Sequence, residues 1–247
     1  MLRAASPSRS SLVFAGFLSL LGELLVTAGL VLALFVVYSL WWTDVLAERH
    51  ASARGDVVRR QWQAAPSPAS PASPASPASP AGAGGLGMRD GIGFLHVPAM
   101  RNGEVLVKRG TAPEVLNDGV AGYYTDPVKS ALPWDEKGNF SLAAHRDGHG
   151  AKFHNIDRVR NGDAVVFETR DTWYVYKVFA QLRRTSKYDV GVIAPVPKGS
   201  GRTAPGRYIT LTTCTPVYTS RFRYVVWGEL VRTEPVDAKR TPPAELR

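Results

Sequence analysis

The feature that most constrains this chain is an apolar run close to its start. Residues 24–42 read LLVTAGLVLALFVVYSLWW and contain no charged side chain. At a helical rise of about 1.5 Å per residue, such a run is long enough to cross the hydrocarbon core of a bilayer. It also exceeds the usual apolar region of a signal peptide, so an uncleaved anchor is favoured. The sequence predicts a transmembrane helix at 24–42, with residues 1–23 forming a cytoplasmic segment and the start of the anchor.

A low-complexity stretch separates this anchor from the rest of the chain. Residues 66–80 repeat Pro-Ala-Ser and continue into a Gly/Ala run. Such a composition offers too few apolar side chains to offset the entropy lost on ordering. We therefore predict a juxtamembrane segment and disordered linker over 43–87, a folded domain over 88–235 and a C-terminal tail over 236–247.

The charges that flank the anchor bear on its orientation. Arg3 and Arg9 precede it, whereas four arginines follow it within the window that the positive-inside rule counts: Arg49, Arg54, Arg59 and Arg60. The count alone would place the domain in the cytoplasm, but long domains translocate largely regardless of such charge. The linker and the family resemblance described below instead favour a single-pass protein of the cell membrane, with a cytoplasmic N-terminus and an extracytoplasmic domain.

The net charge of +9 could suggest nucleic-acid binding, so its distribution matters. From residue 88 onward there are 24 Lys and Arg against 17 Asp and Glu, a balance of +7 without a dense run. Nucleic-acid binders usually concentrate charge on one face and carry recognisable motifs. A basic surface facing a membrane or anionic envelope polymers fits better, and we expect no nucleic-acid partner.

The folded part has the pattern of a mainly β protein. Short apolar runs rich in β-branched and aromatic residues are separated by turn signals, which predicts an antiparallel barrel or sandwich. The predicted strands are 91–97, 104–108, 139–144, 164–168, 172–178, 208–213 and 223–230. Short helices are predicted at 112–118 and 153–159.

The single cysteine of the chain, Cys214, is a candidate nucleophile. A lone cysteine excludes an internal disulfide and makes a structural zinc site improbable. Cys214 ends the strand 208–213 just before Pro216 and has threonines on both sides, whereas a structural cysteine would fit better among large aliphatic residues in mid-strand. The pattern places the thiol at a strand rim, where a side chain can emerge from a rigid wall.

A thiol attacks as the thiolate and needs a base or a cation nearby. Of the five histidines, His145 ends the strand 139–144 as Cys214 ends its own, and this favours it as the acid/base partner. His96 lies within an early strand and reads as a structural residue. His50 is juxtamembrane, and His149 and His154 read as surface or capping residues. A metal site built from His145, His149 and His154 fits the pattern less well than a catalytic or a structural role. We expect neither a metal nor a cofactor.

A guanidinium beside the thiol would stabilise charge on a tetrahedral oxygen during acyl transfer. Arg223 lies where the strand after Cys214 begins, following a turn that reverses the chain. Arg221 is the competing candidate, although it falls within the predicted turn.

Taken together, three segments resemble the sortase signature. They are AlaAlaHisArg around His145, ThrLeuThrThrCys ending at Cys214, and the strand that opens at Arg223. The spacing of 69 residues from His145 to Cys214 is similar to that of class E sortases of high-GC Gram-positive bacteria, and the resemblance covers residues 88–232. One departure is Ala144, where the family usually has glycine before the histidine.

This resemblance implies a fold and a reaction. The fold would be an eight-stranded sortase-type β-barrel with short helices. The reaction would be cleavage of an LPXTG-like sorting signal, with LAXTG typical of class E, between Thr and Gly. Cys214 would form a thioacyl intermediate, Arg223 would steady substrate and oxyanion, and His145 would protonate the leaving amine. The implied partners are surface proteins bearing the C-terminal signal and an amine of a peptidoglycan precursor similar to lipid II.

Three other interpretations compete with this one. Papain-like and NlpC/P60-like peptidases place the cysteine before the histidine and at a helix start, the reverse of the order here. An L,D-transpeptidase would show glycine where Thr213 stands. A non-catalytic, membrane-tethered β-domain that binds the envelope is the alternative from a different functional class.

Overall fold

The computed structural model of the chain describes residues 9–64 and 91–247. These residues fall into two compact units, one ending at Thr43 and the other beginning at Asp44. The predicted Pro-Ala-Ser linker at 66–80 lies outside the described residues.

The first unit consists, in its described part, of the N-terminal portion of helix α1 (Arg9–Ala64). Its large apolar side chains are exposed, as shown by Phe17, Leu24 and Phe35. An 18-residue window of the helix has a mean hydropathy of 2.5 and buries none of its residues within the protein. The predicted apolar helix is thus confirmed as a candidate membrane span, while its orientation stays a prediction.

The second unit is built on a closed barrel of eight strands, so the predicted barrel is confirmed. The order around the barrel is β1-β2-β3-β4-β7-β8-β6-β5. The strands are β1 (Gly93–His96), β2 (Glu104–Arg109), β3 (Ala121–Tyr123), β4 (Gly138–Ala143), β5 (Ala164–Glu168), β6 (Thr172–Ser186), β7 (Arg207–Thr215) and β8 (Phe222–Pro235). The β2–β3 and β4–β7 pairs are parallel and the other pairs are antiparallel, so the prediction of an antiparallel arrangement is wrong for these two pairs.

Short helices fill the connections between strands. The predicted helix at 112–118 is α2 (Pro113–Leu116), with proline at its first turn. The prediction of a helix over 153–159 is wrong in length, because only a 3₁₀ turn forms, at Ile156–Arg158. The other 3₁₀ helices in the described residues are Pro98–Met100, Val190–Ile193 and Ala244–Leu246.

Alternation along β7 separates the barrel core from an outward face. Ile209 and Leu211 are buried in the core cluster inside the barrel. Because successive side chains of a strand point to opposite faces, Thr210, Thr212 and Cys214 belong to the outward face. The nucleophile candidate therefore lies on the outside of the barrel wall, at the end of the strand.

The C-terminal part of α1 is packed against the barrel. Ala51, Val58 and Trp62 are buried together with Phe94 and two other barrel residues, Leu106 and Val120. The spacing of the three helix residues puts them on one helical face. Residues 44–64, which the sequence analysis left in a juxtamembrane segment, are thus an integral part of the second unit.

Glu168 joins α1 and the C-terminal segment to the barrel. This carboxylate at the end of β5 is only 2% exposed and pairs with Arg59 of α1 and Arg240 of the C-terminal segment. His96 of β1 contacts it as well, with Nε2 3.0 Å from Oε2. Burial acts to raise the pKa of Glu168, but bonds from His96, Arg59 and Arg240 outweigh it and lower the pKa to about 2. The predicted tail at 236–247 is therefore anchored through this carboxylate.

We expect Glu168→Gln to lower the free energy of unfolding of the full chain by about 2 kcal/mol at pH 7. Breaking a fully buried ion pair costs about 3 to 5 kcal/mol, and the cost is smaller here because Arg59 and Arg240 are each about a quarter exposed. The pKa of Glu168 is lower in the folded chain than in the unfolded chain, so its ionised form stabilises the fold above the ordinary value of 4.5. This stabilisation is lost as pH falls towards 2. Urea unfolding should therefore show that the difference in unfolding free energy between wild type and Glu168→Gln shrinks between these two pH values.

Glu104→Gln is the matched control for Glu168→Gln, because Glu104 also pairs with Arg59 but is 51% exposed. An equal loss in both variants would contradict the account.

Candidate active site

Cys214 and Arg223 lie directly opposite each other across the β7–β8 pair. Side chains of directly opposed residues leave the same face of a sheet with their Cβ atoms about 5 Å apart. Both residues are partly buried. The Arg223 Nη1 group donates hydrogen bonds to the carbonyl oxygens of Ser220 and Phe222, each at 3.1 Å. The turn between the strands thus tethers the guanidinium on the thiol side of the sheet.

Arg221, the competing cation, lies before β8 begins. It is exposed, and its guanidinium carbon lies 5.9 Å from the centre of the Phe222 ring. The strand register therefore favours Arg223 as the partner of the thiol.

His145 follows β4, which runs parallel to β7. The last pair of that ladder is Ala143 with Thr212, and two further residues along each chain are His145 and Cys214. The Thr213 hydroxyl donates a 2.7 Å hydrogen bond to the Ala144 carbonyl, which ties the chain before His145 to β7. Neighbouring strands lie about 4.8 Å apart. The three predicted residues therefore belong to three adjacent strands. His145 lies just past the end of β4, Cys214 lies near the end of β7, and Arg223 lies near the start of β8.

The His145 ring is held from the segment that follows α2. Its Nε2 lies 2.9 Å from Oδ1 of Asn117, and because this amide oxygen is an acceptor, Nε2 carries the proton and donates it. The rings of His145 and His149 lie 5.2 Å apart between centres. Burial lowers the pKa of His145, the neighbouring His149 lowers it further, and Asp147 acts in the opposite direction. The neutral imidazole is thus favoured near neutral pH.

Asp147 connects the loop after His145 to the turn after Cys214. Its Oδ2 accepts a 2.6 Å hydrogen bond from the backbone N–H of Tyr218. The carboxylate therefore holds two loops together while its charge influences His145 from within the loop.

Tyr124, which the sequence analysis missed, lies on the same face as the thiol. Its hydroxyl is 2.9 Å from the Thr212 hydroxyl, two residues before Cys214 on β7. Burial raises the pKa of Tyr124, while the bond to Thr212 and the charge of Arg223 oppose that effect. The only signal in the sequence was the pair Tyr123 and Tyr124 at the end of β3, a strand of three residues that is too short to be recognised.

A buried apolar wall covers part of the outward face of β7 and β8 near Cys214. Val225 and Trp227 of β8 pair with Thr212 and Thr210 of β7 and pack with the 3₁₀ helix Val190–Ile193. The Trp227 indole N–H donates a 2.9 Å bond to the Val192 carbonyl, which fixes this wall. Because Val225 and Trp227 are fully buried, this wall supports the two strands that carry Cys214 and Arg223.

Two other histidines occupy the structural roles expected of them. His96 contacts Glu168, and His154 Nδ1 lies 2.8 Å from the Arg146 carbonyl, which it caps. Among the described residues, His96, Glu104 and Glu168 place ligand atoms within 4.8 Å of one another, as a metal site would. Arg59 and Arg240 already occupy the Glu168 oxygens, so the arrangement reads as an ion-pair network.

Comparison with known proteins gives consistent matches along the chain. A family model described as the Sortase domain matches residues 95–231. Sortase SrtE2 of Streptomyces coelicolor is 61% identical over 240 residues, which cover 97% of this chain and 92% of that protein. Sortase E1 of Streptomyces coelicolor, solved with a tripeptide in the active site, has 42% identity and a TM-score of 0.59 and covers 63% of this chain and 95% of that one. Sortase E of Streptomyces avermitilis has 37% identity and a TM-score of 0.54, with coverage of 62% and 95%.

Proposed function

The chain belongs to the sortase family and is a cysteine transpeptidase, and from this premise we propose that it cleaves an LPXTG-like sorting signal between Thr and Gly, with LAXTG the expected variant. The LAXTG preference follows the resemblance to class E sortases. The observation that supports the proposal is the strand register: Cys214 and Arg223 are paired across β7 and β8, and His145 follows the end of β4, the other neighbour of β7. The competing non-catalytic binding domain is set aside because members of this family are cysteine transpeptidases.

In the first half of the proposed reaction, the Cys214 thiolate attacks the Thr carbonyl carbon. The carbonyl electrons move onto oxygen, where the Arg223 guanidinium stabilises the negative charge. The Thr–Gly bond then breaks as the His145 imidazolium gives its proton to the departing Gly amine. A thioester between Cys214 and the Thr carbonyl remains.

In the second half, an amine acceptor resolves the thioester. Its nitrogen attacks the Thr carbonyl, its proton passes to His145, and the Cys214 thiolate leaves. We propose that the acceptor is an amine of a peptidoglycan precursor similar to lipid II. The donor is then a surface protein bearing a C-terminal signal, which fits a single-pass membrane protein with an extracytoplasmic domain and a cytoplasmic N-terminus.

The proposal is tested with the full chain in detergent, an LAXTG or LPXTG peptide and triglycine as the amine. Mass analysis should show a product in which the Thr carboxyl is joined to triglycine, with the LAXTG peptide preferred. A peptide with its Thr and Gly exchanged serves as the control and should remain intact. Cleavage at any other bond, or no ligated product from either signal peptide, would contradict the proposal.

A plot of kcat/KM against pH should be bell-shaped, and Asp147→Asn should shift only the acid limb of this curve. A thiol ordinarily titrates about two units above an imidazole, so the active thiolate–imidazolium pair is a minor species and the acid limb follows mainly His145. Asp147 raises the pKa of His145, so its neutralisation should lower that pKa and shift the acid limb to lower pH. The active fraction should fall as well, and we expect a loss of about threefold or less, because asparagine keeps an acceptor oxygen for the Tyr218 amide.

Rates at several pH values for wild type and Asp147→Asn measure this shift directly. Asp157→Asn is a suitable control, since Asp157 is exposed and contacts Arg146 rather than His145. A loss of about 10⁴ in Asp147→Asn, the size expected for a triad carboxylate, would replace the proposed dyad with a triad.

A further inference from the structure

The segment of α1 that opens the second unit contacts the loop that follows His145. The Oδ1 atom of Asp44 accepts a 3.0 Å hydrogen bond from the backbone N–H of Gly150. One helical turn later, Oε2 of Glu48 accepts a 2.6 Å bond from Lys152 Nζ. Lys152 is 8% exposed, so this ammonium is nearly buried and depends on its partner. Two acidic side chains of the helix thus hold two positions of the same loop.

The same helical segment lies against the residues that follow Asn117, the partner of His145. A Cβ atom on Gly119 would lie 2.8 Å from the Ala47 carbonyl oxygen, which shows how closely the two backbones approach. Ala47 itself is 2% exposed. Beside Gly119, Asp118 pairs with Arg54 of the helix at 3.2 Å. The helix therefore braces the second segment that controls the His145 ring.

His145 needs such bracing because it lies beyond the β4 ladder. The ladder of β4 with β7 ends at Ala143, and the hydrogen bonds that continue it to β7 stop at Ala144, one residue before His145. The loop is closed by the Phe153 N–H, which donates a 3.0 Å bond to the His145 carbonyl. The Gly150 N–H, in contrast, is turned outward to Asp44. The position of the imidazole is thus set partly by contacts that come from α1.

We propose that residues 44–51 of α1 are a positioning element of the active site, with Asp44 as the main positioning residue for the His145 loop. This inference rests on the proposed function, since it assigns His145 a role in turnover. In this proposal, the helical segment that follows the candidate membrane span contributes to transpeptidation as well as connecting the span to the barrel. A shift of the loop by a fraction of an ångström would misplace the proton donor without altering the strands that carry Cys214 and Arg223.

The test compares Asp44→Ala, Asp44→Asn and Asp56→Ala in the full chain in detergent. Asp44→Ala should lower kcat about 5- to 10-fold with KM unchanged. Asp44→Asn keeps an oxygen acceptor for Gly150 and should retain at least about half of the wild-type kcat. Asp56, exposed on the same helix, is the matched control and should match wild type when changed to alanine. The split between kcat and KM, and the rescue by asparagine, separate positioning from a loss of stability.

Hydrogen exchange at residues 148–152 gives a second readout that needs no turnover. Asp44→Ala should speed exchange in this loop, and Asp56→Ala should not. If Asp44→Ala matched Asp56→Ala in both kcat and exchange while wild type ligated peptide, the inference would be overturned and the proposed function would stand. Absence of ligation by wild type would overturn the proposed function and the catalytic part of this inference with it, while the exchange result would still decide whether α1 holds the loop.

Discussion

Replacement of Cys214 by alanine should lower transpeptidation by about 10⁵-fold or more, the scale of loss seen when a nucleophile is removed. Cys214 is the single thiol of the chain, so no other side chain supplies the same chemistry. The side chain is partly exposed on the outward face of β7 and fills little of the core. The variant should therefore keep the circular dichroism spectrum and melting temperature of wild type.

Thr219→Ala provides the matched control for Cys214→Ala. Thr219 is exposed in the turn after Cys214, and its hydroxyl donates to the Pro216 carbonyl. Its removal should leave activity within about twofold of wild type, as is usual for surface changes of this kind. Cleavage of the Thr–Gly bond by the folded Cys214→Ala variant would rule out the thiol as nucleophile.

Arg223→Lys should be nearly as damaging as Arg223→Ala, with each lowering kcat by about 10² to 10³, the loss expected when an oxyanion donor is removed. The Nη1 group of Arg223 is tied to the carbonyls of Ser220 and Phe222, while the planar guanidinium carries further N–H groups on Nε and Nη2. A lysine ammonium is a point charge and cannot hold the turn and present a fork of donors at once.

Arg221→Lys and Arg221→Ala are the controls for this prediction. Arg221 has the same charge, lies two residues earlier and is exposed, so both changes should leave kcat within about twofold of wild type. Activity of Arg223→Lys near that of wild type would show that charge alone suffices. A large loss in Arg221→Ala would identify Arg221 as the working cation.

The strand ends beside Cys214 and Arg223 could be predicted most directly, whereas the predicted ends at 178 and 230 were wrong, because β6 and β8 continue to Ser186 and Pro235. Alternation and turn signals placed Cys214 at a rim and put the start of the next strand at Arg223, and the structure pairs these two residues. The barrel itself required the family resemblance, because its closure depends on pairing between strands that are distant in sequence, such as β1 with β5. Strand β3 was missed because three residues carry no readable period.

The support around His145 was harder to predict than the three site residues. Asn117 and Tyr124 approach from segments that have no motif of their own, and long-range packing alone brings them to the site. The helical segment from Asp44 was assigned to a juxtamembrane segment, without a predicted contact to the folded domain. Its small and apolar residues Ala47, Ala51 and Val58, spaced by four and seven, were the signal that one helical face would be buried.

Intact-mass analysis of the full chain with an LAXTG peptide and no added amine tests the central claim most directly. The account predicts a gain equal to the mass of the peptide up to its Thr carbonyl, and subsequent proteolysis should locate this adduct on the fragment that contains Cys214. Hydroxylamine, which cleaves thioesters, should release it, and Cys214→Ala should not form it. Peptide cleavage without any adduct on Cys214, or an adduct on a different residue, would contradict the account.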